Sequence, residues 1–246
     1  MKKYGFGADV GGTTIKMGLF EMDGTLVEKW EIPTDTTEKG AHILQDIAAT
    51  VHGKMVENDL TKDMVEGIGI GVPGAVDKDG VVNRAVNLGW DIVPLAEELG
   101  KLSGMRVKVG NDANVAALGE NWMGSGKGYN SIVMVTLGTG IGGGIIIDGN
   151  ILTGANGAAG EIGHIVVNEQ EIEACNCGHY GCIEQYASAT GIVRMAKRAL
   201  AGTSEDSKLR TFGEAVSAKD VFDCARAGDK VACDVVDQVC GMLGAT

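Results

Sequence analysis

Apolar residues alternate with small or polar ones from Tyr4 to Val10 and from Ile15 to Phe20, and a third strand-like run extends from Thr25 to Ile32. A period of two is the spacing of a half-buried strand. Gly11-Gly12 and Asp23-Gly24 interrupt these runs, so the chain is expected to open as a three-stranded antiparallel meander. The period then changes. Ile43, Ile47, Val51 and Met55 recur every four residues and predict a helix within Lys39–Asn58. Gly67–Val72 and Val107–Val109 read as short buried strands, with helices expected at Pro94–Ser103 and Ala113–Trp122. Strands followed by alternating helix and strand make a mixed sheet covered by helices, an α/β arrangement.

The second half repeats the opening. Ser131–Leu137 predicts a strand, Gly138–Gly144 a glycine loop and Ile145–Asp148 a returning strand. This echo predicts two related lobes, with the cleft between them a natural place for a ligand. Beyond Gly191 the pattern turns helical and polar and remains so to Thr246.

Composition narrows the function. The 39 glycines in 246 residues are about twice the ordinary usage and have no three-residue period, which excludes collagen. With 3 prolines beside them, they point to tight turns where backbone approaches something closely. Lys and Arg number 21 against 33 Asp and Glu, a net charge of −12. That balance disfavours nucleic-acid binding, which needs a basic face. Met1–Val10 has no apolar stretch long enough for a signal peptide, and no run approaches a membrane span. The expected location is therefore the cytoplasm, where six cysteines are thiols or metal ligands rather than disulfides.

The first glycine turn is Asp9-Val10-Gly11-Gly12-Thr13-Thr14. Backbone amides there can face an anion without an intervening Cβ, Thr13 and Thr14 add hydroxyls, and Asp9 is placed to hold Mg²⁺. A plain hairpin is the bland alternative. Lys16 is either a phosphate contact or a solvent-facing strand residue. The second turn, Gly138-Thr139-Gly140-Ile141-Gly142-Gly143-Gly144, contains G-x-G-x-x-G, but it runs into the apolar strand Ile145-Ile146-Ile147. A dinucleotide fingerprint must open a helix, so a hairpin that cradles phosphate is the better reading.

Asp112, in Asn111-Asp112-Ala113-Asn114, either caps the helix that follows or serves as the base that takes a hydroxyl proton during phosphoryl transfer. Glu161, His164 and Glu184 supply donors and acceptors suited to adjacent hydroxyls, where singly they would be surface charges and a structural histidine. Cys175, Cys177 and Cys182 lie within eight residues. Three thiolates and one imidazole make a closed zinc site, the fourth ligand being His164 or His179. Cys224, Cys233 and Cys240 lack ligand spacing and are expected to be small buried apolar residues.

Together these segments resemble the bacterial glucokinases of the ROK family, within the actin-like sugar kinase superfamily. The resemblance is carried by Asp9-Val10-Gly11-Gly12-Thr13, Gly71-Val72-Pro73-Gly74, Asn87-Leu88-Gly89-Trp90, Asn111–Asn114, Gly138–Gly144, Glu161–His164 and the cysteine cluster with Glu184. It implies a two-lobed actin-like ATPase (ribonuclease H-like) fold with mixed sheets and a zinc-binding loop, its lobes spanning 1–117 and 118–246. It implies an ATP-dependent hexose kinase, glucose the leading substrate and glucose 6-phosphate the product. Other hexoses on the same machinery are fructose, N-acetylglucosamine and N-acetylmannosamine. A ROK-type sugar-responsive repressor is the non-enzymatic alternative, disfavoured by the net charge and the missing N-terminal DNA-binding segment.

The resemblance further implies that Asp112 is the base and that Gly74, Asn87, Asn111, Glu161, His164 and Glu184 hold the sugar. Asp9, Gly11, Gly12, Thr13, Thr14 and Lys16 with Gly138, Thr139 and Gly140 would serve ATP and Mg²⁺. Structural Zn²⁺ would be bound by His164, Cys175, Cys177 and Cys182, leaving His179 a bystander. Its partners would be sugar and ATP, not nucleic acid or membrane, and such kinases assemble as dimers or tetramers. Family members continue with further helices beyond the point where this chain ends, so the chain is expected to be a C-terminally shortened member.

Overall fold

The computed structural model describes residues 2–246. Strands β1 (Tyr4–Val10), β2 (Thr14–Glu21) and β3 (Leu26–Pro33) form the expected meander. Helix α1 (Ile43–Glu57) is shorter than the expected span. A 3-10 turn at Thr37–Lys39 precedes it and ends on Gly40 in the left-handed region. Next come β4 (Val65–Val72), α2 (Leu95–Ser103), β5 (Val107–Asn111) and α3 (Asp112–Met123). The sheet order is β3-β2-β1-β4-β5, with β1 parallel to β4 and β4 parallel to β5.

Alternation along β1 decides the faces. Phe6, Ala8 and Val10 point into a core shared with Ile43, Ile47 and Val51 of α1 and with Leu95 and Leu99 of α2. The opposite face carries Gly7, Gly18 and Gly69 and lines a cleft of about 760 Å³ whose wall includes Val115 and Leu118 of α3. Helical cover from α1 and α2 is thus on one face of this sheet.

A three-stranded sheet, β6 (Ile132–Leu137), β7 (Ile141–Ile147) and β8 (Asn150–Ile151), holds the second hairpin. Its glycine turn is only Gly138–Gly140, because Gly142, Gly143 and Gly144 lie inside β7 rather than in the loop expected for 138–144. The remainder is helical: α4 (Glu184–Ala187), α5 (Ala189–Gly202), α6 (Ala218–Arg226) and α7 (Lys230–Gly244). These helices bury Ile183, Ile192, Leu209, Val221, Val235 and Val239 in a second core. Cys224 joins that core as expected, but Cys240 is exposed on α7, because it falls on the face turned away from it.

The chain divides into two compact units. The first comprises Met1–Met134 with Gly144–Gly160, the second Val135–Gly143 with Glu161–Thr246. Residues 118–134 and 144–160 therefore group with the first unit instead of with a lobe spanning 118–246. No helix among the described residues is long and apolar enough to cross a membrane.

Candidate functional site

In the first unit, three parallel strands end on the same edge, and each ends on residues singled out by the sequence. Ligands of open α/β sheets gather at such carboxyl ends. β1 leads into Gly11 and Gly12, β4 into Pro73-Gly74, and β5 into Asn111-Asp112. The first glycine turn is closed by Gly11 N–H donating to Thr14 O (3.1 Å). Thr34 ties it to the end of β3, its hydroxyl donating to Gly11 O (2.7 Å) and its amide to Thr13 O (3.0 Å). Asp9, Gly12 and Thr13 are left exposed, and Lys16 stands on β2 opposite Asp9, also exposed.

Gly74 has a φ of 94°, and a Cβ there would collide with Arg84 O, so only glycine fits without strain. Its own carbonyl accepts from Asn111 Nδ2 at 3.2 Å. Asn87 sits in a 3-10 turn, Val86–Leu88, fixed from beneath by the buried Leu88 and Trp90. Trp90 Nε1 donates to Gly40 O at 3.2 Å. Asn87 is thereby set beside Gly12, whose Cβ would lie 3.5 Å from Asn87 O.

The cap of α3 is Asn111, whose side chain accepts from Asn114 N–H at 3.1 Å. That answers the alternative reading of Asp112, which is not needed as the cap. Asp112 Oδ1 accepts from Ala113 N–H at 2.8 Å, and partial burial pushes its carboxyl above the ordinary value. The negative charge of Asp9 pushes in the same direction. Two carboxylates close enough to sense one another favour a cation between or beside them.

In the second unit, His164, Cys175, Cys177 and Cys182 offer ligand atoms that all lie within 4.8 Å of one another. Cys177 Sγ is 3.6 Å from Cys182 Sγ, and Cys175 Sγ is 3.8 Å from His164 Nδ1. Zn–S bonds of about 2.3 Å in a tetrahedron would separate sulfurs by about 3.8 Å, so the spacing fits zinc. Burial pushes the Cys182 thiol up to about 12 and raises that of Cys175 as well. Thiols so reluctant to ionise alone need a cation to hold them as thiolates. His179 contributes its backbone carbonyl, accepting from Cys175 N–H at 2.7 Å, and lies outside the four-residue cluster.

Glu161 lies close to the cluster, with Oε2 at 3.8 Å from His164 Nε2. Glu184 spans two features. Its Oε1 is 3.8 Å from Cys175 Sγ, and its Oε2 accepts from Ile141 N–H at 2.9 Å, next to the second glycine turn. Gly140 has no room for a Cβ because Glu184 Oε2 occupies that space.

A buried ionic clamp in the same unit was hardly visible in the sequence. The Glu171 side chain is 2% exposed and pairs with both Arg194 and Arg198, the latter at 2.9 Å. Tyr186 also donates to it at 2.7 Å. The Arg198 hydrogen bond leads in holding the Glu171 carboxyl far below the usual carboxylate range. Arginines four apart on α5 were the available signal, since that spacing puts both on one helix face.

The strand order and the mixed sheet define the α/β fold of actin-like sugar kinases. The chain belongs to the ROK family, whose pattern it matches over residues 5–246. It is 45% identical over 241 residues to a glucokinase of Halalkalibacterium halodurans, covering 97% of this chain and 73% of that protein. Among solved structures it is similar to a ROK family glucokinase from Streptomyces griseus in complex with glucose and AMPPNP. That match has a TM-score of 0.78 at 36% identity and covers 98% of this chain and 77% of the other. A ROK family transcriptional regulator, homolog of the E. coli MLC protein, is similar at a TM-score of 0.86 and 29% identity. There 98% of this chain and 60% of the regulator are covered.

Proposed function

We propose that this protein is an ATP-dependent hexose kinase that phosphorylates glucose to glucose 6-phosphate in the cytoplasm, as a dimer or tetramer. The observation that carries the proposal is Asp112: a carboxylate at the carboxyl end of β5, freed from capping by Asn111 and pushed to a raised pKa beside Asp9. The similarity to glucokinases, one of them in complex with glucose and AMPPNP, supports both the reaction and the sugar.

Asp112 accepts the proton of the sugar hydroxyl as its oxygen attacks the γ-phosphorus. The bond from that phosphorus to the β–γ bridging oxygen breaks, and ADP leaves with the electron pair. A poised carboxylate supplies the acceptor, and the rest of the catalysis is positioning and charge neutralisation. Asn111, Gly74 and Asn87, with Glu161, His164 and Glu184, hold the sugar hydroxyls. Gly11, Gly12, Thr13, Thr14 and Lys16, with Gly138, Thr139 and Gly140, meet the phosphates. Asp9 is the residue that would hold Mg²⁺, which neutralises phosphate charge when bound. His164, Cys175, Cys177 and Cys182 would hold Zn²⁺, which fixes the loop carrying the sugar contacts.

The test is a coupled ADP-release assay with Mg-ATP and a panel of glucose, fructose, N-acetylglucosamine and N-acetylmannosamine. Asp112→Asn should lower kcat by about 10²–10⁴-fold while sugar affinity by calorimetry stays within twofold or so. Full turnover in that variant would remove Asp112 from the role. A second reading, sugar binding without turnover, draws on the similarity to the transcriptional regulator. Glucose binding with no ADP release from the unaltered chain would favour it.

A further inference from the structure

The turn between β6 and β7 is held from behind by residues about fifty positions later in the chain. Gly138 O accepts from Ala189 N–H at 2.8 Å, and Thr139 O accepts from Thr190 Oγ1 at 2.9 Å. All peptide bonds among the described residues are trans. In a trans peptide the carbonyl and the following N–H point in opposite directions. Tying the carbonyl of Gly138 to α5 therefore turns the Thr139 amide away from α5. Tying the carbonyl of Thr139 does the same for the Gly140 amide. Among the described residues nothing accepts from either amide. Two adjacent free amides aimed the same way form a concave anion seat, provided their carbonyls are kept out of it.

We propose that Thr190 is a positioning residue for nucleotide phosphate, acting through the backbone of Thr139. This rests on the reading of Gly138–Gly140 as a phosphate loop and adds a residue that neither glycine spacing nor acidic chemistry singles out. The Ala189 tie is made by backbone, so the Thr190 hydroxyl is the side-chain contribution to this orientation. Its own placement is set by the buried Ser188, whose Oγ lies 3.0 Å away and donates to Glu184 O at 2.7 Å. Loss of the hydroxyl frees the Thr139–Gly140 peptide to rotate and bring a carbonyl toward the phosphates. Of the proposed sugar contacts, Glu184 meets this turn through the Ile141 amide rather than through the Thr139 carbonyl that Thr190 holds.

The experiment compares Thr190→Val, which keeps the shape without the hydroxyl, and Thr190→Ser, which keeps the hydroxyl, with the unaltered chain. Calorimetry with Mg²⁺ and AMPPNP, calorimetry with glucose, the two KM values and Tm are measured for each. In Thr190→Val the nucleotide Kd and the KM for ATP should rise about three- to tenfold, the worth of one hydrogen bond. Glucose affinity and Tm should stay at their unaltered values, and Thr190→Ser should restore nucleotide affinity. Equal nucleotide affinity in Thr190→Val overturns the proposal. So does parallel loss of both affinities with a lowered Tm, which marks a merely structural residue. An unaltered chain that binds glucose but no nucleotide overturns the kinase reading itself, a result distinguishable because it does not depend on residue 190.

Discussion

Both glycine turns join two antiparallel strands and expose backbone amides, yet they are held in different ways. The Gly11–Thr14 turn is closed by its own hairpin and by Thr34, the residue that follows the next strand. Its partners lie within 23 residues. The Gly138–Gly140 turn is held by Glu184, Ala189 and Thr190, up to 51 residues away. The first turn is a property of the meander. The second borrows its conformation from α4 and the start of α5, which follow the irregular loop that carries the cysteine cluster and the buried Glu171. Local closure depends on hairpin chemistry alone, whereas remote closure depends on everything that holds the remote segment in place.

Metal removal should separate the behaviour of the two turns most strongly. Chelation, or Cys182→Ser, removes a cluster whose binding free energy is on the order of 10 kcal/mol in small zinc sites. Glu184 lies against Cys175 and accepts from Ile141 N–H, so exchange of the Ile141 amide should accelerate by orders of magnitude while that of the Gly11 amide is unchanged. Equal protection of the Ile141 amide with and without bound metal, measured beside the metal content, would show that the second turn does not depend on the cluster.

The next largest effect belongs to Glu171. Removing the buried carboxylate in Glu171→Ala leaves Arg194 and Arg198 with Glu173 as their remaining carboxylate and Tyr186 without its acceptor, a cost of about 2–3 kcal/mol. Denaturant unfolding followed by exchange should place that loss in the second unit. The pH dependence has a definite sign. The folded pKa of Glu171 is depressed, so its contribution is fully present above the unfolded value near 4.5 and is lost as pH falls below it. Acid should therefore expose α5 amides in the unaltered chain. In Glu171→Ala the stability of α5 should not fall further through that range. A similar acid loss in the variant would assign the pH dependence to another group.

Gly140→Ala should give the smallest effect, about 1–3 kcal/mol for forcing a methyl against Glu184. Its signature is faster exchange of the Ile141 amide with weaker metal affinity, because the displaced carboxylate also abuts Cys175. Gly11→Ala, where the Cβ would lie 2.9 Å from Thr14 O, should disturb only its own hairpin.

The first sheet was legible because its strands follow one another and its alternation is clean. β1 occupies the expected Tyr4–Val10 span, and Asp23-Gly24 turns the chain where a turn is needed. The three cysteines were legible for a related reason, since they are rare and closely spaced, but spacing left His164 and His179 open as the fourth ligand and only the resemblance pointed to His164. The clamp on Glu171 was not, because Glu171 reads as one more carboxylate in Glu169-Gln170-Glu171-Ile172-Glu173. Only packing shows which of these carboxylates is buried.

The sequence was enough for the meander, the helix periods, the two glycine turns, the three clustered cysteines and the residues at the carboxyl ends of β1, β4 and β5. These follow from local spacing, which fixes what neighbouring residues can do. Tertiary structure alone decided that Asn111 rather than Asp112 caps α3, and that Gly142–Gly144 belong to a strand. It also decided that Cys240 is exposed and that the second glycine turn leans on Glu184, Ala189 and Thr190. Each depends on which groups meet across long stretches of chain. Periodicity carries no record of a hydrogen bond between a carbonyl at 139 and a hydroxyl at 190.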